Sequence, residues 1–352
     1  MLNSFANVNN RLPCRVILLA LLFAASHALI CSRGAEKSSS SEGPRQPEPY
    51  LRITRSNSNV VQLQVAVRKF VPARRSGPAI WLTGASHIGD SNYFAALQKH
   101  LDEQALVLFE GISDFHHKGE SARPAAIDSE PHGAGETNAA AEESSLQLSL
   151  ARSLGLDFQL QAIDYRRPHF RNSDLSMQQL QRLMADSQSG GGKTSEQFQR
   201  LMQIMDESTF LGGLAKVVVS VLGSSPKLQA ITRLALIETI GQIKGDISQM
   251  KGLPPEMTGL LKVLIQSRNQ AVVDDLKAEL KGKNRPRTIS VLYGAGHMDD
   301  LEQRLRAQLK YRPVEQFWLT AFSVDLGKAG VTEAEVAMIR SLVKWQMEQL
   351  QP

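Results

Sequence analysis

Apolar and polar positions alternate from Val61 to Val67, where Gln62, Gln64 and Ala66 separate Val61, Leu63, Val65 and Val67. That two-residue period predicts a half-buried strand. Gly77-Pro78 then punctuates the chain, and Ala79 to Thr83 is a short apolar run of the kind a buried strand makes. Phe94, Leu97 and Leu101 recur at helical spacing, and Ala105 to Phe109 is a second buried-strand run. Strand, helix and strand within about thirty residues make a βαβ unit, which implies a parallel sheet. Further on, Leu146 to Leu154 reads as helix, Phe158 to Ile163 as a strand ending at Asp164, and Ser176 to Ala185 as a helix closed by Gly190-Gly191-Gly192. Residues 195–280 are mostly helical in pattern, with breaks near Gly223–Pro226 and Gly252–Pro255. Thr288 to Tyr293 returns as a buried strand, and Leu301, Leu305 and Leu309 share one helix face. Phe317 to Val324 reads as a final strand and Val331 to Leu350 as an amphipathic helix. The expected fold is α/β, with a mainly parallel central sheet flanked by helices and a helical insertion at about 195–280.

Residues 111–140 carry no period, and Gly, Ala, Ser, Pro and Glu accompany three histidines, His116, His117 and His132. A long mobile loop is expected there, its histidines exposed to solvent. Before the folded body, Arg11 and Arg15 precede the apolar run Val16 to Ala25, and Ser26-His27-Ala28 offers small residues at the −3 and −1 positions. This is the pattern of a secretory signal over residues 1–28, followed by a disordered polar linker at 29–50. Export to the periplasm or the extracellular space is the expectation; the alternative is an anchor formed by residues 16–30. Membrane contact is expected through that segment alone. Phe210 to Leu222 is also apolar, but it is short and contains Lys216 and two glycines, so a buried hairpin or partner-binding helix is the better reading.

Composition narrows the chemistry. Of 352 residues, 42% are apolar and 21% charged, an ordinary globular balance. The formal charge of +5 comes from 40 basic and 35 acidic residues, with no basic stripe interleaved with aromatics, so no nucleic-acid partner is expected. The only cysteines, Cys14 and Cys31, precede the folded body, which excludes a thiolate zinc site, a catalytic cysteine and a disulfide framework there.

One local pattern occurs twice. Leu82-Thr83-Gly84-Ala85-Ser86-His87-Ile88-Gly89-Asp90 and Leu292-Tyr293-Gly294-Ala295-Gly296-His297-Met298-Asp299-Asp300 each carry Gly-Ala-x-His after a buried-strand run. Each then offers an Asp to cap the next helix, and Asp299 with Glu302 has capping-box spacing. The histidines arrive at the rim where parallel strands end, which is where open α/β sheets bind ligands. Two such strands side by side would aim both imidazoles at one point. Glu110 follows the strand Ala105–Phe109 at the same rim, and Asp164 follows Phe158–Ile163. Two histidines with one or two carboxylates can hold a divalent metal with a position open for water. A lone His after a strand is more often a loop residue, Glu110 could pair with an arginine, and Asp164 could simply hold Arg166 or Arg167. A serine triad is poorly supported, because Ile88 stands where Gly-x-Ser-x-Gly needs its second glycine.

The paired Gly-Ala-x-His motifs, Glu110 after the second strand, and Arg268-Asn269 ahead of Val291–His297 resemble the TraB family. That family takes in GumN-like and pheromone-shutdown proteins and the Tiki-type metalloproteases, with erythromycin esterase and ChaN-like proteins as broader relatives. The resemblance spans about Ile80 to Gln316. It implies that His87, Glu110 and His297 form a catalytic and metal-binding set. It adds Arg268 and Asn269 as polar site residues. In the expected site Arg268 stabilises an oxyanion, and Asn269 and the strand-end Asp164 bind substrate. Many relatives carry an Asp and an Arg shortly after the glutamate, where this chain reads Gly111-Ile112-Ser113-Asp114. The expected function is a metal-dependent hydrolase, foremost a peptidase, acting on a peptide or small-molecule substrate. The alternatives are a non-catalytic protein that captures a peptide or haem-like ligand, and a metal-independent His/Glu esterase. The sequence does not set the metal's identity or the oligomeric state.

Overall fold

The computed structural model describes residues 48–56, 59–74, 76–111, 148–176, 178–180, 182–183, 225–242 and 262–349. The segments expected to form an export signal and a histidine-bearing loop, the glycine run and the apolar stretch Phe210–Leu222 lie outside the described residues. Nine strands are described: β1 (Leu51–Arg55), β2 (Val60–Pro72), β3 (Ala79–Ala85), β4 (Ile88–Gly89), β5 (Leu106–Phe109), β6 (Asp157–Phe158), β7 (Phe170–Asn172), β8 (Thr288–Gly294) and β9 (Tyr311–Asp325). The helices among them are α1 (Ser91–Asp102), the single turn α2 (Gln159–Ala162), α3 (Pro226–Ile240), α4 (Arg268–Lys281), α5 (Met298–Arg304) and α6 (Glu333–Gln349). No described helix is long and apolar enough to cross a membrane.

Seven strands form one mixed sheet. β3, β8, β5 and β7 lie side by side and parallel in that order. The chain therefore reaches β8 last and inserts it between β3 and β5. β8 is buried from its second residue onward, as the central strand of a parallel sheet should be. Long β2 joins this block to an antiparallel half. β9 pairs with it from Val60↔Asp325 to Pro72↔Tyr311. Its other edge is shared, by β1 opposite Val61–Val65 and by β3 opposite Val67–Phe70. β1 and β3 thus meet end to end beside Val65.

Strand alternation divides the core into two layers. Ile80 and Leu82 of β3, Leu108 of β5 and Ile289, Val291 and Tyr293 of β8 pack under α4 and α5, against Val272, Val273, Leu276, Met298 and Leu301. The opposite face carries Ala85, Val107, Phe109 and Leu292 under α1, α3 and α6. Gly84 permits the close approach of β3 to β2: a Cβ there would lie 2.9 Å from Val65 Cγ1 and 3.2 Å from the Ala66 carbonyl.

The structure departs from the sequence pattern in three places. Phe158–Ile163 is not a core strand: only Asp157–Phe158 is extended, paired with Ile88–Gly89, and Gln159–Ala162 turns helically. The Asp90 side chain does not cap α1; it accepts from the Ser323 amide at 3.2 Å and lies 3.4 Å from Arg233 Nη1. No Asp299–Glu302 box forms either. Glu302 is buried and accepts from Tyr50 Oη at 2.9 Å, from Arg306 at 2.6 Å and from Arg68, whose guanidinium also lies over the Tyr50 ring. Each carboxylate is taken by an arginine, a stronger donor than a helix amide.

A polar group is also buried between β3, β8 and α1. Thr83 Oγ1 lies 2.7 Å from Ser290 Oγ and 3.2 Å from His100 Nε2, and Trp81 and Phe317 pack edge-on against the imidazole. Burial lowers the His100 pKa from 6.5 to about 4. Between those values the unfolded chain binds the proton that the folded protein refuses, so the stabilisation is complete above pH 6.5 and is lost as pH falls toward 4. The shift corresponds to about 3 kcal/mol. Urea unfolding of wild type and His100→Gln between pH 7 and pH 4 should show the wild type losing about that much more stability; parallel losses would contradict a neutral buried imidazole.

Candidate functional site

Four parallel strands deliver polar residues to one rim: His87 beyond β3, His297 beyond β8, Glu110 beyond β5 and Asp174 beyond β7. The N-terminal turn of α4 brings Arg268 and Asn269 to the same rim. That helix is entered through Lys262–Ser267, which is wound wider than an α-helix, a local distortion found often beside functional sites.

Glu110 is fixed at both oxygens. Its Oε1 accepts from Arg268 Nη2 at 2.7 Å, and its Oε2 accepts from the Gly294 amide at 2.7 Å. Arg268 is 1% exposed and also grips Asp174, with Nε to Oδ1 at 3.0 Å and Nη2 to Oδ2 at 2.6 Å. Asp174 accepts in addition from the amides of Gly111 at 3.1 Å and Leu175 at 2.7 Å. Burial alone would lower the pKa of Arg268, but the Asp174 and Glu110 carboxylates outweigh it and hold that pKa well above its ordinary value. Tyr293 packs beside this cluster, donates from its hydroxyl to the Ser173 carbonyl at 2.5 Å, and has its pKa pushed well up by burial and then by Asp174.

His297 is fully buried and its ring meets Tyr293 edge-on at 5.3 Å. The network assigns its tautomer. Asn269 Nδ2 donates to the His297 carbonyl at 3.1 Å and to Asp300 Oδ2 at 2.7 Å, two groups that only accept. Asn269 Oδ1 therefore faces His297 Nδ1, at 2.7 Å, and accepts its proton. In the neutral ring Nε2 then carries the lone pair, and it lies 3.6 Å from Glu110 Oε1.

The expected residues thus divide. Glu110, Arg268, Asn269 and His297 converge. Arg268, expected at an oxyanion, anchors two carboxylates; Asn269, expected on the substrate, orients the imidazole. Asp164 is not in this cluster. It is held by Arg166 at 3.0 Å and Arg167 at 3.8 Å, and it follows a helical turn rather than a core strand. His87 lines a pocket beside Ala295, and its carbonyl accepts from the Gln159 amide at 2.8 Å. Two residues were missed. Asp174 follows a strand of three residues, too short for its pattern to register, and Asp300 reads in sequence as a helix-capping residue.

Ligands about 2.0–2.2 Å from a tetrahedral ion lie about 3.4 Å apart, so His297 Nε2 and Glu110 Oε1 fit one edge of a metal site. The expected set does not close. Among the described residues no three His, Cys, Asp or Glu side chains gather in metal-binding geometry, and His87 therefore does not complete a ligand triad with Glu110 and His297. No family model, curated protein or solved structure matches this chain.

Replacing Arg268 by Met would leave Asp174 and Glu110 facing each other in a buried space. Removing one partner of such an ion pair costs about 3–5 kcal/mol. Urea unfolding at neutral pH should report a loss of that size; a loss below about 1 kcal/mol, the level of a surface pair, would show that the cluster does not depend on Arg268.

Proposed function

We propose that the chain is an exported hydrolase acting on peptides, in which Glu110 and His297 activate water for attack on a carbonyl carbon. The observation that carries this reading is the clamped pair: His297 Nε2 lies 3.6 Å from Oε1 of a Glu110 carboxylate that Arg268 and the Gly294 amide hold in place. A water donating to Nε2 and contacting Oε1 would give its proton to the imidazole as its oxygen attacks, and the imidazolium would return the proton to the leaving amine. Asn269 keeps the ring in the tautomer this requires. Glu110 stabilises the charge that develops on the ring. Its side chain is 9% exposed while that of His297 is 0% exposed, so Glu110 is the member of the pair that meets incoming solvent. The resemblance to TraB and Tiki-type proteins supports a peptide substrate, and the N-terminal signal pattern supports export.

A metal-dependent form is a second reading, favoured by the Nε2–Oε1 separation. The ion would supply Lewis-acid polarisation of the carbonyl and a water of lowered pKa. His297 and Glu110 would be its ligands. The described residues supply no third ligand. A non-catalytic binding protein is the remaining alternative.

Purified protein incubated with a peptide mixture should release new termini, and His297→Ala and Glu110→Gln should each lower the rate by roughly 10²–10⁴-fold. Turnover that survives a chelator supports the metal-free pair. Turnover abolished by the chelator and restored by zinc supports the second reading. Peptide retained without product supports a binding protein, and full activity in both variants would remove the site from consideration.

A further inference from the structure

Where β1 ends against β3 beside Val65, the two motif copies border a small pocket. Leu63 of β2, Leu236 and Ile240 of α3, Ala85 and His87 of the first motif and Ala295 of the second are in its wall. The wall is aliphatic apart from Ser86 and His87, and the Ser86 hydroxyl already donates to the Ile88 carbonyl at 2.7 Å. The pocket adjoins the clamped pair through the backbone, because Ala295 follows Gly294, whose amide holds Glu110 Oε2 at 2.7 Å. Its volume is about 30 Å³. That is room for about two or three heavy atoms, and an apolar hollow of this kind favours hydrocarbon over water.

We propose that this pocket receives a small aliphatic group of the substrate, the side chain of an Ala or Val next to the scissile bond, and that Leu236 and Ile240 set the size limit. The proposal rests on the hydrolase reading for the identity of the occupant, but the pocket's chemistry stands apart from turnover. A glycine would leave the hollow unfilled, and a ring would not enter it. Each misfit methylene in a pocket of this kind changes relative rates by about tenfold or more.

Two measurements separate the proposal from the reading beneath it. In the first, the full chain cleaves a random peptide library and the products are sequenced. One position beside the cleaved bond should be dominated by Ala and Val, and Leu236→Ala and Ile240→Ala should each shift that position about tenfold toward Leu, Met and Phe, other positions being unchanged. Cleavage without such a preference, or with a preference that neither variant moves, overturns the proposal and leaves the hydrolase reading in place. In the second, isobutyramide is titrated into methyl-labelled protein. The methyl resonances of Leu63, Leu236 and Ile240 should move, and phenylacetamide should leave them still. Leu236→Phe, folded by circular dichroism, should abolish the shifts; Ile240→Ala should admit the larger amide. Resonances that do not respond to isobutyramide overturn the proposal whatever the library shows. A response without any peptide cleavage sustains the pocket and removes the hydrolase reading.

Discussion

A single buried guanidinium organises this rim. Asp174 and Glu110 arrive from the ends of two neighbouring parallel strands, and two buried carboxylates so close would repel each other strongly in a medium of low dielectric. Arg268 stands between them and binds both. Its planar fork suits this task better than an ammonium could, since Nε and Nη2 take the two oxygens of Asp174 while Nη2 also reaches Glu110. The three charges do not cancel. Two carboxylates exceed one guanidinium by a unit of negative charge, and the Glu110 edge of that excess faces His297. Positive charge developing on the imidazole, or brought by a cation, would meet a field already in place.

His297 depends on a second set of restraints behind it. The imidazole begins α5, and α5 is tied down twice. Asp300 receives Asn269 of α4 and Arg304, while Glu302 is locked by Tyr50, Arg68 and Arg306. The first tie couples His297 to the helix that carries Arg268. The second couples it to the chain entering β1 and to the middle of β2. The helix behind the imidazole is therefore held by groups from four stretches of sequence, Tyr50, Arg68, α4 and α5 itself, a degree of preorganisation that a loop histidine lacks.

The centre of the sheet was legible in the sequence because its parallel strands are buried on both faces and read as unbroken apolar runs. Ala79–Thr83, Ala105–Phe109 and Thr288–Tyr293 all appear, and so does the alternating strand at Val61–Val67, which extends to Pro72. Glu110, Arg268, Asn269 and His297 were also identified, the middle two only by resemblance. What escaped has physical causes. β1 alternates over too few residues to register, Leu51 and Ile53 against Arg52 and Thr54, and β7 has three residues of which one is buried. Asp174 was lost with β7, although the rule that selected Glu110 would have selected it. Asp164 was misplaced because Phe158 and Ile163 are both buried but flank the helical turn Gln159–Ala162, and burial alone does not distinguish a strand from a helical turn over six residues.

The two Gly-Ala-x-His copies show how an exact local repeat can lack a spatial one. Their strands are adjacent and parallel, but the register pairs Gly84 with Tyr293 and Ala85 with Gly294, one residue out of step with the motif. Side chains along a strand alternate faces, so a one-residue offset turns equivalent positions to opposite sides of the sheet. Leu82 of the first copy packs under α4 and α5, whereas its counterpart Leu292 packs under α1 and α3. The histidines inherit that difference. His297 enters a polar clamp of Asn269 and Glu110, and His87 borders an aliphatic pocket. A symmetric pair of imidazoles needs symmetric strands; the offset instead gives the rim one polar wall and one apolar wall.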